Sequence, residues 1–543
     1  MQAISGIIDV NHYKTEVLII GGGLAGIVAA LELVEKKISV LLLERDSEEN
    51  FGGLAPWAFG GMALVGTPLQ KRNGVRDSVE TALCDWHSFA DFSEHDIWPR
   101  KWAEIYVNRC LPDVYHWLRD RGIRFFPAVQ WVERGEYGPG NSLPRYHLVW
   151  GTGRELVKKL LQRLNRQENK DYLTVKFEHN VTDLQQAGQR VCGCEGVQEN
   201  GGEPFAIEAD KTIVATGGLN GNIERVKKEW AKSWGKAPER ILNGSHPYAD
   251  GRMHDEVERL GGNLTHLDKM WNYAAGVMHP EARFPDHGLS LVPPKSALWL
   301  DSRGNRFGPR PLVTGFDTHE ICKAICQTPD QYSWQILNRT IALKELAVSG
   351  SEHNPAYRDK KLLKFLGEIM KGNKWLYEYL ESKCTDFIVA GSLPELVGRM
   401  NAYNGDDKVS LNSVERAVRA YDAQIDRGPK LHNDDQLRKI EQLRRWKGDR
   451  VRTCKYQKIL DESAMPLIAI REYILSRKTM GGIQTDEHSR VLADNDTVMD
   501  DFYAVGEAAG FGGGGASGLK SLEGTFLSGC ILTAQAAAKN IIT

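Results

Sequence analysis

The sequence lacks the features that mark several classes of protein. Its nine cysteines are scattered along 543 residues without a paired CxxC motif, which argues against a cysteine metal site and against a disulfide framework. The 69 lysines and arginines nearly balance the 71 aspartates and glutamates, giving a formal net charge of −2. No nucleic-acid partner is therefore expected. No metal is expected either, and a reducing compartment, the cytoplasm, is the favoured location.

Patterns for membrane insertion and export are also lacking. The most apolar stretch, residues 17–34, is interrupted by four glycines and by Glu32, so it predicts a strand and a helix rather than a membrane span. Residues 1–10 contain no basic residue and no sustained apolar run. We do not expect them to form a secretory signal.

The first clear motif is the pattern of a dinucleotide-binding βαβ unit. Strand, helix and strand are predicted at 15–20, 24–34 and 38–43. Gly21, Gly23 and Gly26 form GxGxxG at the strand-to-helix turn, and Glu44 ends the second strand. Such glycines let the backbone approach a pyrophosphate at the helix N-terminus, while the carboxylate accepts hydrogen bonds from a ribose. The unit therefore predicts a dinucleotide site.

The residue pattern divides the whole chain into three segments. A strand at 211–214 ends in the small residues ATGG, and residues 271–456 then mix aromatic and charged residues, with amphipathic helices predicted at 358–382 and 411–425. From residue 465 the pattern of the dinucleotide-binding part returns, with a strand predicted at 501–507 and a final helix from about Thr525. We predict domain segments 1–270, 271–456 and 457–543, the middle one inserted.

Several short segments carry a resemblance to a known family. They are the N-terminal fingerprint, 215–218 (ATGG), 249–252 (ADGR), 301–307 (DSRGNRF), 479–482 (TMGG) and 503–507 (YAVGE). In this order they resemble the fumarate reductase/succinate dehydrogenase flavoprotein family, which also contains the 3-ketosteroid dehydrogenases. Residues 522–527 (LEGTFL) are most similar to bacterial FAD-binding dehydrogenases close to the ketosteroid enzymes. The resemblance implies an α/β fold: a Rossmann-like, glutathione-reductase-type FAD-binding domain with an inserted α+β cap domain.

The resemblance also implies FAD and its contacts. Glu44 would bind the ribose, Gly23 and Gly26 the pyrophosphate, and Glu507 the ribityl chain, while the last helix would direct its first N–H groups at the flavin. The other candidate cofactor residues are Gly21, Arg45, Gly53, Gly60, Gly61, Val181, Ala215, Thr216, Gly217, Asp250, Gly506, Thr525, Phe526 and Leu527. Leu54 stands where succinate dehydrogenases carry the histidine that binds flavin covalently, so non-covalent FAD is implied.

The departures from the family bear on the substrate. Arg477 and Lys478 replace two histidines of the fumarate reductase motif, and Ser521 stands at the position of a carboxylate-binding arginine, two residues before Glu523. A dicarboxylate needs paired cationic partners, so fumarate and succinate are disfavoured. The tyrosines of the ketosteroid enzymes are not kept in 466–469 (PLIA) either. Residues suited to a flat apolar ketone are Trp57, Phe59, Trp131, Tyr137, Trp271, Tyr273 and Phe316.

We therefore expect an FAD-dependent oxidoreductase that moves hydride between flavin N5 and a carbon near a ketone on an apolar, steroid-like substrate. Tyr137, Tyr273 and Lys478 are candidates for proton transfer, and Arg477 with the 481–482 backbone for stabilising the oxygen. One alternative is reduction of an unsaturated carboxylic acid held by Arg477 and Lys478. Another is a flavin-binding sensor with a degenerate site. The sequence leaves open the direction of reaction, the electron acceptor or donor, and whether the chain forms a homo-oligomer.

Overall fold

The computed structural model of the protein describes residues 11–136, 138–188 and 190–543. The expectation for residues 1–10 and the candidate Tyr137 lie outside the described residues. The strands are β1 (Asn11–Ile20), β2 (Val40–Leu43), β3 (Gly61–Ala63), β4 (Tyr146–Leu148), β5 (Leu173–Lys176), β6 (His179–Ala187), β7 (Arg190–Gln198), β8 (Pro204–Val214), β9 (Leu242–Asn243), β10 (Leu264–Thr265), β11 (Met270–Met278), β12 (Gly288–Val292), β13 (Leu298–Leu300), β14 (Ser333–Asn338), β15 (Ala347–Val348), β16 (Phe387–Ala390), β17 (Leu467–Thr479), β18 (Gly482–Ile483), β19 (Arg490–Leu492) and β20 (Val498–Ala504).

The α-helices are α1 (Leu24–Val34), α2 (Pro68–Arg72), α3 (Val79–Ala90), α4 (Ile97–Arg109), α5 (Trp117–Asp120), α6 (Thr152–Leu164), α7 (Ile223–Lys228), α8 (Arg252–Arg259), α9 (Thr318–Cys326), α10 (Arg339–Glu345), α11 (Pro355–Arg358), α12 (Leu362–Lys371), α13 (Lys374–Lys383), α14 (Leu393–Asn404), α15 (Leu411–Asp426), α16 (Asp435–Arg445), α17 (Lys447–Arg452) and α18 (Thr525–Ile542). No helix of the residues described combines the length and the apolar character that crossing a bilayer requires.

The first large sheet confirms the predicted α/β fold. Its strands run in the order β19-β20-β8-β1-β2-β5, and β20, β8, β1, β2 and β5 are parallel to one another. Apolar strands buried on both faces suit a parallel sheet, and β2 is buried along its whole length. Helices α1 and α18 pack against each other and share one apolar core with this sheet.

The second large sheet is mostly antiparallel and has the order β13-β14-β17-β11-β12-β15, with β9 and β16 also paired to β17. Strand β17, at 467–479, falls in the segment that we placed with the FAD-binding part, yet its apolar start pairs with β14 and β16. Its end pairs with β11. The long strand therefore belongs to the inserted sheet by its hydrogen bonds, and it runs from that sheet to the first one.

The prediction of one continuous helix at 358–382 is wrong. The structure has α11, α12 and α13 there, and the chain turns between the last two at Gly372, whose φ is +97°. A side chain is strained at such an angle, so glycine favours the break. The predicted helices at 24–34 and 411–425 and the final helix from Thr525 are confirmed.

A buried ion network ties α3 to the segment before β4. Arg145 donates two hydrogen bonds to Asp77, at 2.8 and 2.9 Å, and one to Asp85 at 2.5 Å. The three side chains are only 0–6 % exposed. Removing one partner of a buried ion pair leaves an uncompensated charge, which is far costlier than losing an exposed pair.

We predict that Arg145→Met lowers the free energy of unfolding by about 3–5 kcal/mol, measured by urea denaturation at equal flavin content. Arg166→Met is the matched control, because Arg166 is 51 % exposed and lies 3.6 Å from Glu168. It should change stability by no more than about 0.5 kcal/mol. Equal effects of the two substitutions would contradict the assigned importance of the network.

Candidate functional site

The candidate site is a long cavity at the carboxyl ends of the parallel strands. The register aligns Ile20 with Leu43 and with Val214, and β20 ends beside them at Ala504, paired with Val214. In open α/β sheets, ligands bind at this edge of the sheet. The cavity starts here, at Gly21 and Glu44, and extends to Tyr273 and Lys478 of the second sheet.

The glycine turn forms one wall of this cavity. Gly21 has φ of +107°, and a Cβ there would meet the Ala215 carbonyl oxygen at 2.4 Å. At Gly23 the nearest atom to an added Cβ is 4.0 Å away, so the backbone is open to a ligand. Gly23 is also the N-cap of α1 and offers no side-chain cap. The first N–H groups of α1 thus face the cavity and suit a pyrophosphate.

Glu44 is placed as the ribose-binding hypothesis requires. Its carboxylate accepts hydrogen bonds from the backbone N–H of Gly22, at 2.7 Å, and of Asp46, at 2.8 Å. The residue is 8 % exposed and lines the cavity, and burial raises its pKa above the ordinary value. Each carboxylate oxygen has a second lone pair, so the fixed group can still accept ribose hydroxyls.

Arg45 and Asp250 form the outer rim of this end. Arg45 donates to Asp250 at 2.9 Å and to Glu199 at 2.5 Å, and its guanidinium stacks 4.3 Å from the ring centroid of Tyr248. Arg45, Asp250 and Tyr248 all line the cavity. The Tyr248 ring at this rim is suited to stacking on a flat base.

A second open helix end lies further along the cavity. Gly524 is the N-cap of α18, has φ of +92° and provides no side-chain cap. Phe526 and Leu527 in the first turn line the cavity. The positive end of the helix dipole favours the negative charge that develops on a reduced flavin. Two uncapped helix ends in one cavity fit the two ends of a dinucleotide.

Glu507 is partly buried and lines the same cavity. One of its oxygens accepts a hydrogen bond from the backbone N–H of Thr479 at 2.9 Å. Burial raises its pKa to about 7, although Lys478 and Arg477 oppose that shift. The carboxyl therefore sits where the ribityl chain of a flavin could bond to it.

The inner end of the cavity is organised by Glu523, which we had noted only as part of a family motif. Its carboxylate accepts hydrogen bonds from the Trp271 indole N–H at 2.8 Å and the Tyr273 hydroxyl at 3.1 Å. Its φ of +46° is rare for a residue with a side chain. Strained backbone of this kind clusters at functional sites. Burial keeps the pKa of Tyr273 well above its usual range, so the phenol stays protonated.

Lys478 and Arg477, near the C-terminal end of strand β17, line the same end of the cavity. The Lys478 ammonium lies 4.2 Å from the centroid of the Phe526 ring and 5.8 Å from that of Tyr273. Burial lowers its pKa to about 8, against the opposing pull of Glu523. Arg477 donates to the Gly244 carbonyl oxygen. Cross-strand pairing of Lys478 with Trp271 fixes this arrangement.

Glu133 is a further acid that lines the cavity, and the sequence analysis did not identify it. It is 3 % exposed and accepts hydrogen bonds from the Thr318 N–H at 3.0 Å and hydroxyl at 2.5 Å. Burial raises its pKa to about 8. No motif surrounds Glu133 in the sequence, and its partner lies 185 positions away, so no local signal could have revealed it.

Most candidate site residues meet in this one cavity. Those that line it are Gly21, Gly23, Glu44, Arg45, Gly53, Gly60, Gly61, Val181, Ala215, Thr216, Gly217, Asp250, Tyr273, Arg477, Lys478, Glu507, Phe526 and Leu527. Gly26, Gly506 and Thr525 lie behind the wall. A Cβ on Gly26 would come within 2.0 Å of the Gly21 carbonyl oxygen, so this glycine is required for packing. Of the aromatic residues named for the ketone, Phe59 and Tyr273 line the cavity.

Comparison with known proteins identifies the family of this chain. A family model described as an FAD binding domain matches residues 16–527. The chain belongs to this FAD-binding family. It is 39 % identical over 552 aligned positions to a KsdD-like steroid dehydrogenase of Mycobacterium tuberculosis, covering 98 % of this chain and 96 % of that protein. The cofactor is therefore FAD, and the protein is an FAD-dependent oxidoreductase.

Solved structures share the fold. The open conformation of a flavocytochrome c3 fumarate reductase has a TM-score of 0.68 at 19 % identity, covering 97 % of this chain and 78 % of that one. The 3-ketosteroid-Δ4-(5α)-dehydrogenase of Rhodococcus jostii RHA1 has a TM-score of 0.65, also at 19 % identity, covering 100 % and 99 %. These likenesses confirm the predicted fold class.

A histidine cluster elsewhere in the described chain has the residue types of a metal site. Ligand atoms of His279, Glu352 and His353 lie within 4.8 Å of one another. However, Glu352 pairs with Arg283 at 2.9 Å, and His279 Nδ1 accepts a hydrogen bond from the Glu281 N–H at 3.0 Å. The cation and the occupied ring nitrogen disfavour a metal ion here.

We predict that Glu44→Ala weakens FAD binding by at least about tenfold, because the ribose loses a fixed carboxylate acceptor. The measurement is the flavin-to-protein ratio after dialysis and the Kd from fluorescence titration. Glu48→Ala changes an exposed acid nearby and should leave the Kd unchanged. An unchanged Kd for Glu44→Ala would remove this residue from the cofactor site.

Proposed function

We propose that the protein is a dehydrogenase of apolar cyclic ketones of the steroid type, removing hydrogens from adjacent carbons beside the ketone. The observation that carries the proposal is the position of Lys478, a partly buried amine that lines the inner end of the cavity 4.2 Å from the centroid of the Phe526 ring. Burial lowers the pKa of this amine to about 8. The KsdD-like steroid dehydrogenase name of the 39 % identical relative supports the substrate class.

When bound, FAD supplies the hydride acceptor for the carbon that loses hydrogen. Glycines 21 and 23 and Glu44 would hold its adenosine diphosphate half, and Glu507 with the start of α18 its flavin half. Leu54 in the wall offers no group for a covalent link, which supports non-covalent binding.

The protein's own groups would handle the proton and the oxygen. Lys478 in its neutral form takes the proton from the carbon beside the ketone, and Arg477 provides positive charge for the enolate-like oxygen. Glu523 orients the Tyr273 hydroxyl and Trp271 indole next to the amine. Apolar residues around the inner cavity, including Phe59, Leu291 and Val348, exclude water and suit a ring system.

A second candidate is reduction of an unsaturated carboxylic acid, favoured by the adjacent Arg477 and Lys478 in the cavity wall. Glu523 lines the same region, and its carboxylate opposes an anionic substrate by charge. Ser521 cannot take the place of the carboxylate-binding arginine of fumarate reductases, because it is 1 % exposed and its hydroxyl is hydrogen-bonded to the Thr525 hydroxyl at 2.9 Å. We therefore rank the ketone first.

We further propose a cytoplasmic location, supported by nine free cysteines of which six are buried. The division at 1–270, 271–456 and 457–543 also stays a proposal, with β17 assigned to the inserted sheet.

The function is tested by anaerobic titration of the holoprotein, followed by flavin absorbance. A saturated 3-ketosteroid should bleach the flavin, whereas simple cyclohexanone should do so weakly because it fills less of the apolar cavity. Reoxidation of the reduced protein by acrylate-type acids or fumarate, with no response to enones, would overturn the ketone assignment.

We predict that Lys478→Met slows flavin reduction by the ketone about 100-fold to 10,000-fold while leaving flavin content unchanged, because the proton acceptor is lost. Stopped-flow absorbance measures the rate. Lys269→Met is the control, since Lys269 pairs with Asp268 at 2.7 Å and does not line the cavity. An unaffected rate in Lys478→Met would exclude it as the base.

The rate should also depend on pH in a defined direction. A base with a pKa of about 8 is mostly protonated below that pH, so flavin reduction should speed up about tenfold per pH unit and level off above it. Arg477, Glu523, Glu507, Tyr273 and Cys530 face this amine. Lys478→Met should lose the inflection, and an inflection kept near pH 7 would point to Glu507 instead.

A further inference from the structure

Helix α12 presents an apolar face to solvent. Leu362, Leu363, Leu366 and Met370 are 47, 87, 39 and 75 % exposed, and no residue of this helix is buried. Leu362, Leu366 and Met370 recur at one-turn spacing, and Leu363 lies beside them on the wheel. A contiguous exposed apolar face on a protein surface marks a site of interaction.

Lysines accompany this face. Lys360, Lys361, Lys364, Lys371 and Lys374 lie on or beside the helix, against Asp359 and Glu368. Lys360 is paired with Glu155 and Lys374 with Glu378, whereas no carboxylate of the residues described lies within 4.0 Å of the amines of Lys361, Lys364 or Lys371. Lys364 and Lys371 are seven positions apart and share one face of the helix, past Leu363 and Met370 around the helix. Their charge complements an anionic surface.

The opposite edge of α12 is anchored to the protein. The Phe365 ring lies 4.9 Å from that of Tyr357 and 5.5 Å from that of Phe126, and Lys344 donates to the Ile369 carbonyl oxygen. The helix is therefore attached to the protein along this edge, while its leucines are exposed to solvent. Trp375, 39 % exposed, follows at the start of α13 and is a residue type suited to a lipid interface.

The position of α12 connects this surface to the cavity. It packs on α17, whose last residue, Arg452, lines the cavity, and on α11, which begins directly after another lining residue, Asn354. A surface bound by this helix would therefore lie beside one wall of the cavity. No helix of the described residues can cross a bilayer, but a basic amphipathic helix can lie in its interface.

We propose that α12 docks the protein on the surface of an anionic phospholipid bilayer, with its leucines in the acyl boundary and Lys361, Lys364 and Lys371 at the head groups. The inference goes beyond the proposed function, because docking needs no substrate. For a ketone dissolved in lipid, it would place the cavity next to the source.

The test is co-sedimentation of the holoprotein with vesicles, followed by flavin absorbance and without any ketone present. Vesicles of phosphatidylglycerol mixed with phosphatidylcholine should bind the protein, phosphatidylcholine alone should bind it weakly, and added salt should weaken binding. The double variant Leu363→Glu/Met370→Glu should lower the partition coefficient at least about tenfold. Its flavin content and melting temperature should not change, since both side chains are mostly exposed.

Ile97→Glu is the matched control, because Ile97 is 67 % exposed on α4, and it should bind like the unmodified protein. Equal binding of the double variant and the unmodified protein, or no binding to anionic vesicles, would overturn the proposal. A dimer seen by sedimentation velocity that only the double variant disrupts, without vesicle binding, would also overturn it and assign the face to a second copy. Ketone-dependent bleaching tests the proposed function separately.

Discussion

The rest of this structure depends on one constraint, which is that the parallel strands of the first sheet end side by side at the same edge. Backbone pairing holds Ile20, Leu43, Val214 and Ala504 at one edge of the sheet. The residues that follow these ends, Gly21, Glu44, Ala215 and Val505, all line one cavity. Because hydrogen-bond register fixes the backbone at these positions, this wall of the cavity is preformed.

Strand β17 transmits this constraint to the substrate end. Its first residues are held by β14 and β16, and its last by β11. Arg477, Lys478 and Glu507 therefore meet because a strand of the inserted sheet ends beside β20 and α18. At this place two cations and two acids share a cavity wall that is largely removed from bulk water. Burial shifts the pKa values of Lys478 and Glu507 toward neutrality, while the opposite charges beside each group oppose the shift.

The cofactor half could be predicted from the sequence because its determinants are local. Gly21, Gly23 and Glu44 lie within one βαβ unit, and their spacing alone specifies the turn and the acid. The substrate end depends on contacts between distant segments. The bonds of Glu523 to Trp271 and Tyr273 span about 250 positions, and Glu133 meets Thr318 across 185. The break at Gly372 was missed because the helical pattern of apolar residues continues across it.

The two helix ends at Gly23 and Gly524, which lack a side-chain cap, would couple folding to the cofactor supply if they hold FAD as proposed. Unpaired N–H groups at a helix end are satisfied by solvent or by a ligand, so FAD that bonds to them stabilises the native state but not the unfolded chain. Each tenfold rise of free FAD above its Kd then adds about 1.4 kcal/mol to stability. A cell short of flavin would hold this protein in a less stable form. That form would be degraded by proteases more readily than the form with bound FAD, although its sequence is unchanged.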